Sequence, residues 1–151
     1  MSLLTLFGKM LREYFPDGSI ETLEQNGDYR LSANLIIDDR VYWLSIESHE
    51  ITEWLLVYLY PPFMVPAAKY AEASTLFNTI NDRYSYPGRL TVSDDGGICY
   101  KQILDMEGIE PSMRMLRNMV DSARKLFENH AEAIRRVSSD YRRGAKIVCL
   151  C

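Results

Sequence analysis

Seven consecutive residues, Trp54-Leu55-Leu56-Val57-Tyr58-Leu59-Tyr60, constrain this chain more than any other feature. Read as a strand, they put Trp54, Leu56, Tyr58 and Tyr60 on one face and Leu55, Val57 and Leu59 on the other. Neither face suits water, so the strand must be covered on both sides. Helices packed on one sheet face leave the second face exposed, and large apolar patches on a monomer mark contact sites. The expected solution is a homodimer that buries at least part of that second face. The competing solution is an N-terminal helix folded over it.

The flanking sequence supplies the rest of a mixed fold. Leu3, Leu4, Leu6, Phe7, Met10, Leu11, Tyr14 and Phe15 recur at helical spacing and stop before Pro16-Asp17-Gly18. After the Asn26-Gly27-Asp28 turn, Tyr29, Leu31, Ala33, Leu35 and Ile37 alternate with polar residues as a half-buried strand does. Asp38-Asp39-Arg40 turns the chain into a second strand from Val41 to Glu47, and Glu47-Ser48-His49-Glu50 reads as a polar hairpin loop. Pro61-Pro62-Phe63-Met64-Val65-Pro66 ends the two-faced strand. Helical spacing returns from Ala67 to Tyr84 through Tyr70, Ala73, Leu76, Phe77 and Ile80, and Pro87-Gly88 closes it. Leu90 and Val92, then Ile98, Tyr100, Gln102 and Leu104, flank the turn Asp94-Asp95-Gly96-Gly97 as a hairpin. Pro111 and Ser112 open a final amphipathic helix from Met113 to Val137. Its outer face carries Arg117 with Asp121, Arg124 with Glu128 and Glu132 with Arg136 at i,i+4. The predicted class is α+β, an antiparallel sheet with helices in the order α-β-β-β(-β)-α-β-β-α. One domain over 1–137 and a basic tail over 138–151 complete the division.

The chemistry available to this chain is sparse. It has 151 residues, a net charge of −4, two histidines and three cysteines. His49 reads as an exposed loop residue, and His130 as a helix residue at the margin of the apolar face. Glu128, His130 and Glu132 are two apart and share no helix face, so they make a poor metal site. Gly96-Gly97 lacks a following Lys-Ser or Lys-Thr step and is a turn rather than a phosphate loop. No catalytic, metal or cofactor site is expected. A small pocket beside the Trp54–Tyr60 strand, with Glu53 against Tyr58 and Tyr60, is the enzymatic alternative. Residues 17–53 carry nine acids against Arg30 and Arg40, whereas 135–151 carry five basic residues against Asp140. Arg135 and Arg136 also suit a helix C-terminus, so a nucleic-acid partner is disfavoured. No apolar stretch is long enough to span a membrane, and the MSLLTLFGKM start has no basic n-region. Cys99, Cys149 and Cys151 read as reduced thiols, which suits the cytoplasm.

Several pieces then recur in a known order: Leu76-Phe77-Asn78-Thr79-Ile80-Asn81, Pro87-Gly88-Arg89-Leu90-Thr91-Val92, Asp95-Gly96-Gly97-Ile98-Cys99-Tyr100, and Pro111-Ser112 at the last helix. Over about residues 19–137 this order resembles the YbjN-like family of bacterial proteins. The resemblance implies a fold similar to type III secretion chaperones, usually homodimeric, in sensory-transduction regulators without a catalytic site. It therefore implies a regulatory adaptor or chaperone-like module that binds a further, unidentified protein. Asn78 and Asn81 are read as amides that satisfy backbone groups near a helix end, and Gly88 as a positive-φ residue. Trp54, Leu56, Tyr58, Tyr60, Phe63 and Met64 are the candidate partner or dimer surface, and for Trp54, Tyr58, Phe63 and Met64 the alternative is simple core or dimer-interface packing.

Overall fold

Tight turns set the first half of the sheet. Asn26 and Gly27 have φ of 53° and 84°, and Asp38 and Asp39 have φ of 50° and 61°. Paired positive φ is the geometry that reverses an antiparallel hairpin in two residues, and Asn, Asp and Gly tolerate it best. The computed structural model describes residues 8–9, 12–13 and 21–140. Its strands are β1 (Glu21–Gln25), β2 (Asp28–Ile37), β3 (Arg40–His49), β4 (Trp54–Tyr60), β5 (Phe63–Met64), β6 (Arg89–Val92), β7 (Ile98–Asp105) and β8 (Ser139–Asp140). The helices are α1 (Tyr70–Arg83), entered through a 3₁₀ turn at Ala67–Lys69, and α2 (Met113–Arg136). Gly8, Lys9, Arg12 and Glu13 are helical; the rest of the expected first helix lies outside the described residues.

Six strands form one antiparallel sheet in the order β1-β2-β3-β4-β7-β6, and β5 pairs with β8. The α+β class and the element order agree with the sequence reading, with β1 as an added edge strand. Both helices contribute to one core. Leu31, Leu35, Leu44, Ile46, Leu55, Val57, Leu59 and Tyr100 of the sheet meet Phe77 and Ile80 of α1 and Leu116, Val120, Leu126, Phe127 and Ile134 of α2. Tyr42 sits among them, edge-on to Phe63 and Phe127 at ring separations of 5.9 and 5.2 Å. Burial pushes its phenol up to about 12, so it stays protonated.

Local chemistry fixes the helix ends. The Ser112 hydroxyl accepts from the Met115 N–H at 3.3 Å, the expected N-cap. At the far end Lys69 Nζ donates to the Arg136 carbonyl at 2.5 Å, satisfying one of the terminal carbonyls. Of the three expected i,i+4 pairs only Glu132 with Arg136 forms, while Arg117 engages Glu13.

Three sequence readings change. Ser48 and His49 extend β3 beyond Glu47 rather than forming a loop, and Glu47 pairs with Arg30 across the sheet. Gly88 has no positive φ; it is small because a Cβ there would lie 2.6 Å from the Tyr100 hydroxyl oxygen and 2.7 Å from the Lys101 carbonyl oxygen. Tyr70, on the expected core stripe, is exposed, because the chain is only entering α1 there.

Candidate functional site

Antiparallel register aligns alternate side chains into rows on the sheet face opposite the helices. Ser32, Ser45, Tyr58, Lys101 and Arg89 are successive cross-strand neighbours. The next row runs through Arg30, Glu47, Leu56 and Ile103, and another joins Asn34, Trp43 and Tyr60. Down the middle, Leu56, Tyr58, Tyr60 and Cys99 form a second apolar cluster, separate from the helix-side core. Their exposures are 3%, 6%, 8% and 2%. The Tyr58 and Tyr60 rings stack with centroids 6.2 Å apart, and the Lys101 ammonium lies 5.6 Å above the Tyr58 ring.

Around this strip stands an apolar rim. Leu23, Ile36, Val41, Trp43, Trp54 and Ile103 are all exposed, and register puts all six on the sheet face opposite α1 and α2. Trp43 and Trp54 remain 39% and 41% accessible. These rim residues come from five strands.

One corner of the same face is polar. Glu47 accepts from Arg30 Nε at 2.8 Å and lies 3.0 Å from His49 Nε2. With Leu23, Gln25, Asn26, Asp28 and Tyr29 they line a shallow, open depression. The Glu47 carboxylate is held between the Arg30 guanidinium and the His49 ring, and among the described residues no hydroxyl or thiol bonds to His49. The arrangement holds side chains in register across β2 and β3. Among the described residues no group of three or more His, Cys, Asp or Glu side chains is placed to hold a metal ion.

The second histidine is elsewhere. His130 of α2 lies 3.2 Å from the Tyr86 hydroxyl, which also accepts from Asn129 Nδ2 at 3.0 Å. The Tyr84 ring meets it edge-on at 4.5 Å, and burial lowers its pKa. This cluster latches the segment after α1 onto α2.

The six sequence candidates separate in space. Leu56, Tyr58 and Tyr60 form the buried strip, and Trp54 stands at its exposed end. Phe63 instead packs in the main core against Tyr42, with the Arg40 guanidinium 5.9 Å over its ring. Half-buried Met64 pairs with Ser139 in the short β5–β8 ladder. Trp43, Ile103 and Cys99 escaped the sequence reading. The alternation of Val41 and Trp43 was visible, but only the β3–β4 register aligns Trp43 with Tyr60.

The arrangement can now be set beside known proteins. A crystal structure of the Yersinia pestis type III secretion chaperone SycH, in complex with a stable fragment of YscM2, is similar in shape. The identity is 13%, the TM-score 0.49, and the match covers 88% of this chain and 97% of that one. No curated protein matches the sequence. A family profile does match, over residues 9–136, described as "Putative bacterial sensory transduction regulator". With that span covering most of its length, the chain belongs to the YbjN family.

Proposed function

We propose that this chain is a non-catalytic protein-binding module, a regulatory adaptor or chaperone-like partner, that forms a homodimer and works in the cytoplasm. The observation that carries the reading is the face opposite α1 and α2, where six large apolar side chains ring a buried aromatic strip. Contiguous apolar surface of this kind is costly in a lone monomer, and tryptophan is enriched where interfaces concentrate their energy. Trp43, Trp54 and Ile103 are the docking contacts, and Leu56, Tyr58 and Tyr60 form the floor that holds them in place. The family description as a regulator, rather than an enzyme, supports the same reading. Among the described residues no helix is long and apolar enough to cross a membrane.

Sedimentation velocity over a micromolar dilution series tests the association. The expected result is a dimer that dissociates when Trp43 and Trp54 are both replaced by Ser. A parent protein that stays monomeric throughout, at its mass of 17.5 kDa, would refute self-association through this face.

A further inference from the structure

The exposed apolar residues of the face opposite α1 and α2 fall into two groups. Trp43 aligns with Tyr60, at the far end of the seven-residue β4 from Trp54, so the two tryptophan positions stand ~20 Å apart at ~3.3 Å per residue. The Trp54 group coincides with the end of the sheet where three chain segments meet. Glu50 donates its N–H to Asp28 Oδ1 at 3.1 Å, and the Met106 N–H donates to the Glu53 carbonyl at 2.9 Å. These bonds join the β1–β2 hairpin, the β3–β4 turn and the segment after β7 into one rim. Its apolar side chains are open: Ile51 is 93% exposed and Ile109 49%, and Trp54 and Ile103 are diagonal neighbours across β4 and β7. Its charge is one-sided. Segments 23–30, 47–54 and 103–112 carry eight acidic side chains against a single arginine, in a chain whose net charge is only −4. That arginine, Arg30, is already paired with Glu47, whereas Glu50, Glu53 and Glu107 have no ion pair among the described residues.

We infer that this end of the sheet is the docking site for a cationic amphipathic helix of a partner protein. The inference rests on the docking-face reading and divides that face, leaving the Trp43 end to a second copy. Charge names the occupant. A two-fold contact centred here would set the same eight acids against themselves, and a nucleic acid or an anionic membrane would meet the same repulsion. A helix with lysines and arginines flanking an apolar stripe matches both halves of the surface. Its stripe covers Trp54, Ile103 and Ile51, and its cations face Glu50, Glu53 and Glu107. From Leu23 on β1 to Ile103 on β7 the sheet is four strand spacings wide, ~19 Å, which a helix of about thirteen residues spans. The rim needs no rearrangement to receive it, because hydrogen bonds already hold the three segments together.

Trp43 and Trp54 are the chain's two tryptophans, so Trp43→Phe leaves Trp54 as the sole reporter and Trp54→Phe leaves Trp43. The probe is a synthetic Lys–Leu peptide of about fourteen residues patterned as an amphipathic helix, titrated at ~20 mM and ~150 mM salt. The expected result is a saturable blue shift of Trp54 emission, with little response from Trp43. Glu50→Gln, Glu53→Gln and Glu107→Gln together should weaken binding about tenfold or more at the lower salt. Glu72→Gln, Asp82→Gln and Glu128→Gln, all exposed on α1 and α2, should leave it within about twofold. The same peptide composition in scrambled order should bind about tenfold more weakly. Equal responses from the two reporters, equal effects of the two triple replacements, or equal binding of the scrambled peptide would overturn the inference. So would Trp54 emission that shifts with protein concentration and ignores the peptide, the sign of a second copy at this end. If the acidic-end triple replacement unfolds, binding to the parent that is the same at both salt levels overturns it instead. A dimer in sedimentation velocity with no peptide response overturns this inference alone; a monomer with no response overturns the docking-face reading with it.

Discussion

Replacing Gly88 by Ala tests how tightly the segment after α1 is locked to the sheet. Gly88 donates its N–H to the Tyr100 hydroxyl at 2.9 Å, and Tyr100 is fully buried. An added Cβ would meet that hydroxyl oxygen at 2.6 Å and the Lys101 carbonyl oxygen at 2.7 Å. Neither contact is tolerable, and the carbonyl belongs to a paired strand, so the ring and the segment must shift. Overpacking of this kind costs ~1–3 kcal/mol, and losing the hydrogen bond adds ~0.5–1.5 kcal/mol. Restricting the unfolded chain returns ~0.4–1 kcal/mol, which leaves a net loss centred on ~2 kcal/mol, within a range of ~0.5–4 kcal/mol. Urea unfolding followed by far-UV circular dichroism reads this as a lower midpoint at unchanged slope. Replacing Tyr100 by Leu first should shrink the Gly88→Ala penalty, because the nearest obstacle is gone. Gly108→Ala is the contrast: it has φ of 69° and nothing within 4 Å of an added Cβ, so only backbone strain of ~1–2 kcal/mol should appear, whatever stands at Tyr100. A Gly88→Ala loss below about 0.5 kcal/mol, or one independent of Tyr100, would refute the steric argument.

Three further outcomes are expected. Asn81→Ala strips both partners from Leu90, whose N–H and C=O each bond the Asn81 amide at 2.9 Å; the loss should be ~1–3 kcal/mol by urea unfolding, and Asn81→Asp should not restore it, since it keeps only the acceptor. Phe63→Ala should cost ~3–5 kcal/mol, as a core truncation does, while Met64→Ala costs much less; equal small effects would return Phe63 to the surface. Burial lowers the pKa of His130, so the unfolded chain binds its proton more readily than the folded one does. Stability from this group is complete above the ordinary histidine pKa of about 6.5 and falls as pH drops from there toward the folded value. Melting scans from about pH 8 to about pH 5 should show a decline that is smaller in His130→Gln; identical profiles would remove His130 from the account.

What the sequence makes legible is whatever depends on neighbours. Asn26-Gly27 and Asp38-Asp39 announce tight turns because their own side chains tolerate positive φ. Ser112 caps α2, and the apolar line from Leu116 to Ile134 is buried as its spacing requires. The two-faced burial of residues 55–60 also follows from their own chemistry. What stays hidden depends on distant residues. Ser48 and His49 look like part of a polar loop until neighbouring strands arrive to pair with them. Gly88 resembles a helix-ending glycine until Tyr100 fills the space over it. Phe63 resembles a loop aromatic until β8 pairs over it and Tyr42 packs beside it. The rim of the candidate face is the extreme case, since Leu23, Ile36, Trp43, Trp54 and Ile103 share a surface only through the register of five strands.

The two-way hydrogen bond from Asn81 to Leu90 also settles how the sheet ends. An edge strand presents unpaired N–H and C=O groups that invite another chain to add itself. On β6, the sheet's last strand, a side-chain amide already occupies both groups of Leu90, imitating the strand that would otherwise come next. That margin is closed to growth by a residue of the adjoining helix. Edge-to-edge addition is thereby steered to β1, at the opposite end of the six strands. An Asn81→Ala variant would consequently do more than lose stability: it would open a second template for strand pairing and make the protein prone to aggregate from a side the parent keeps shut.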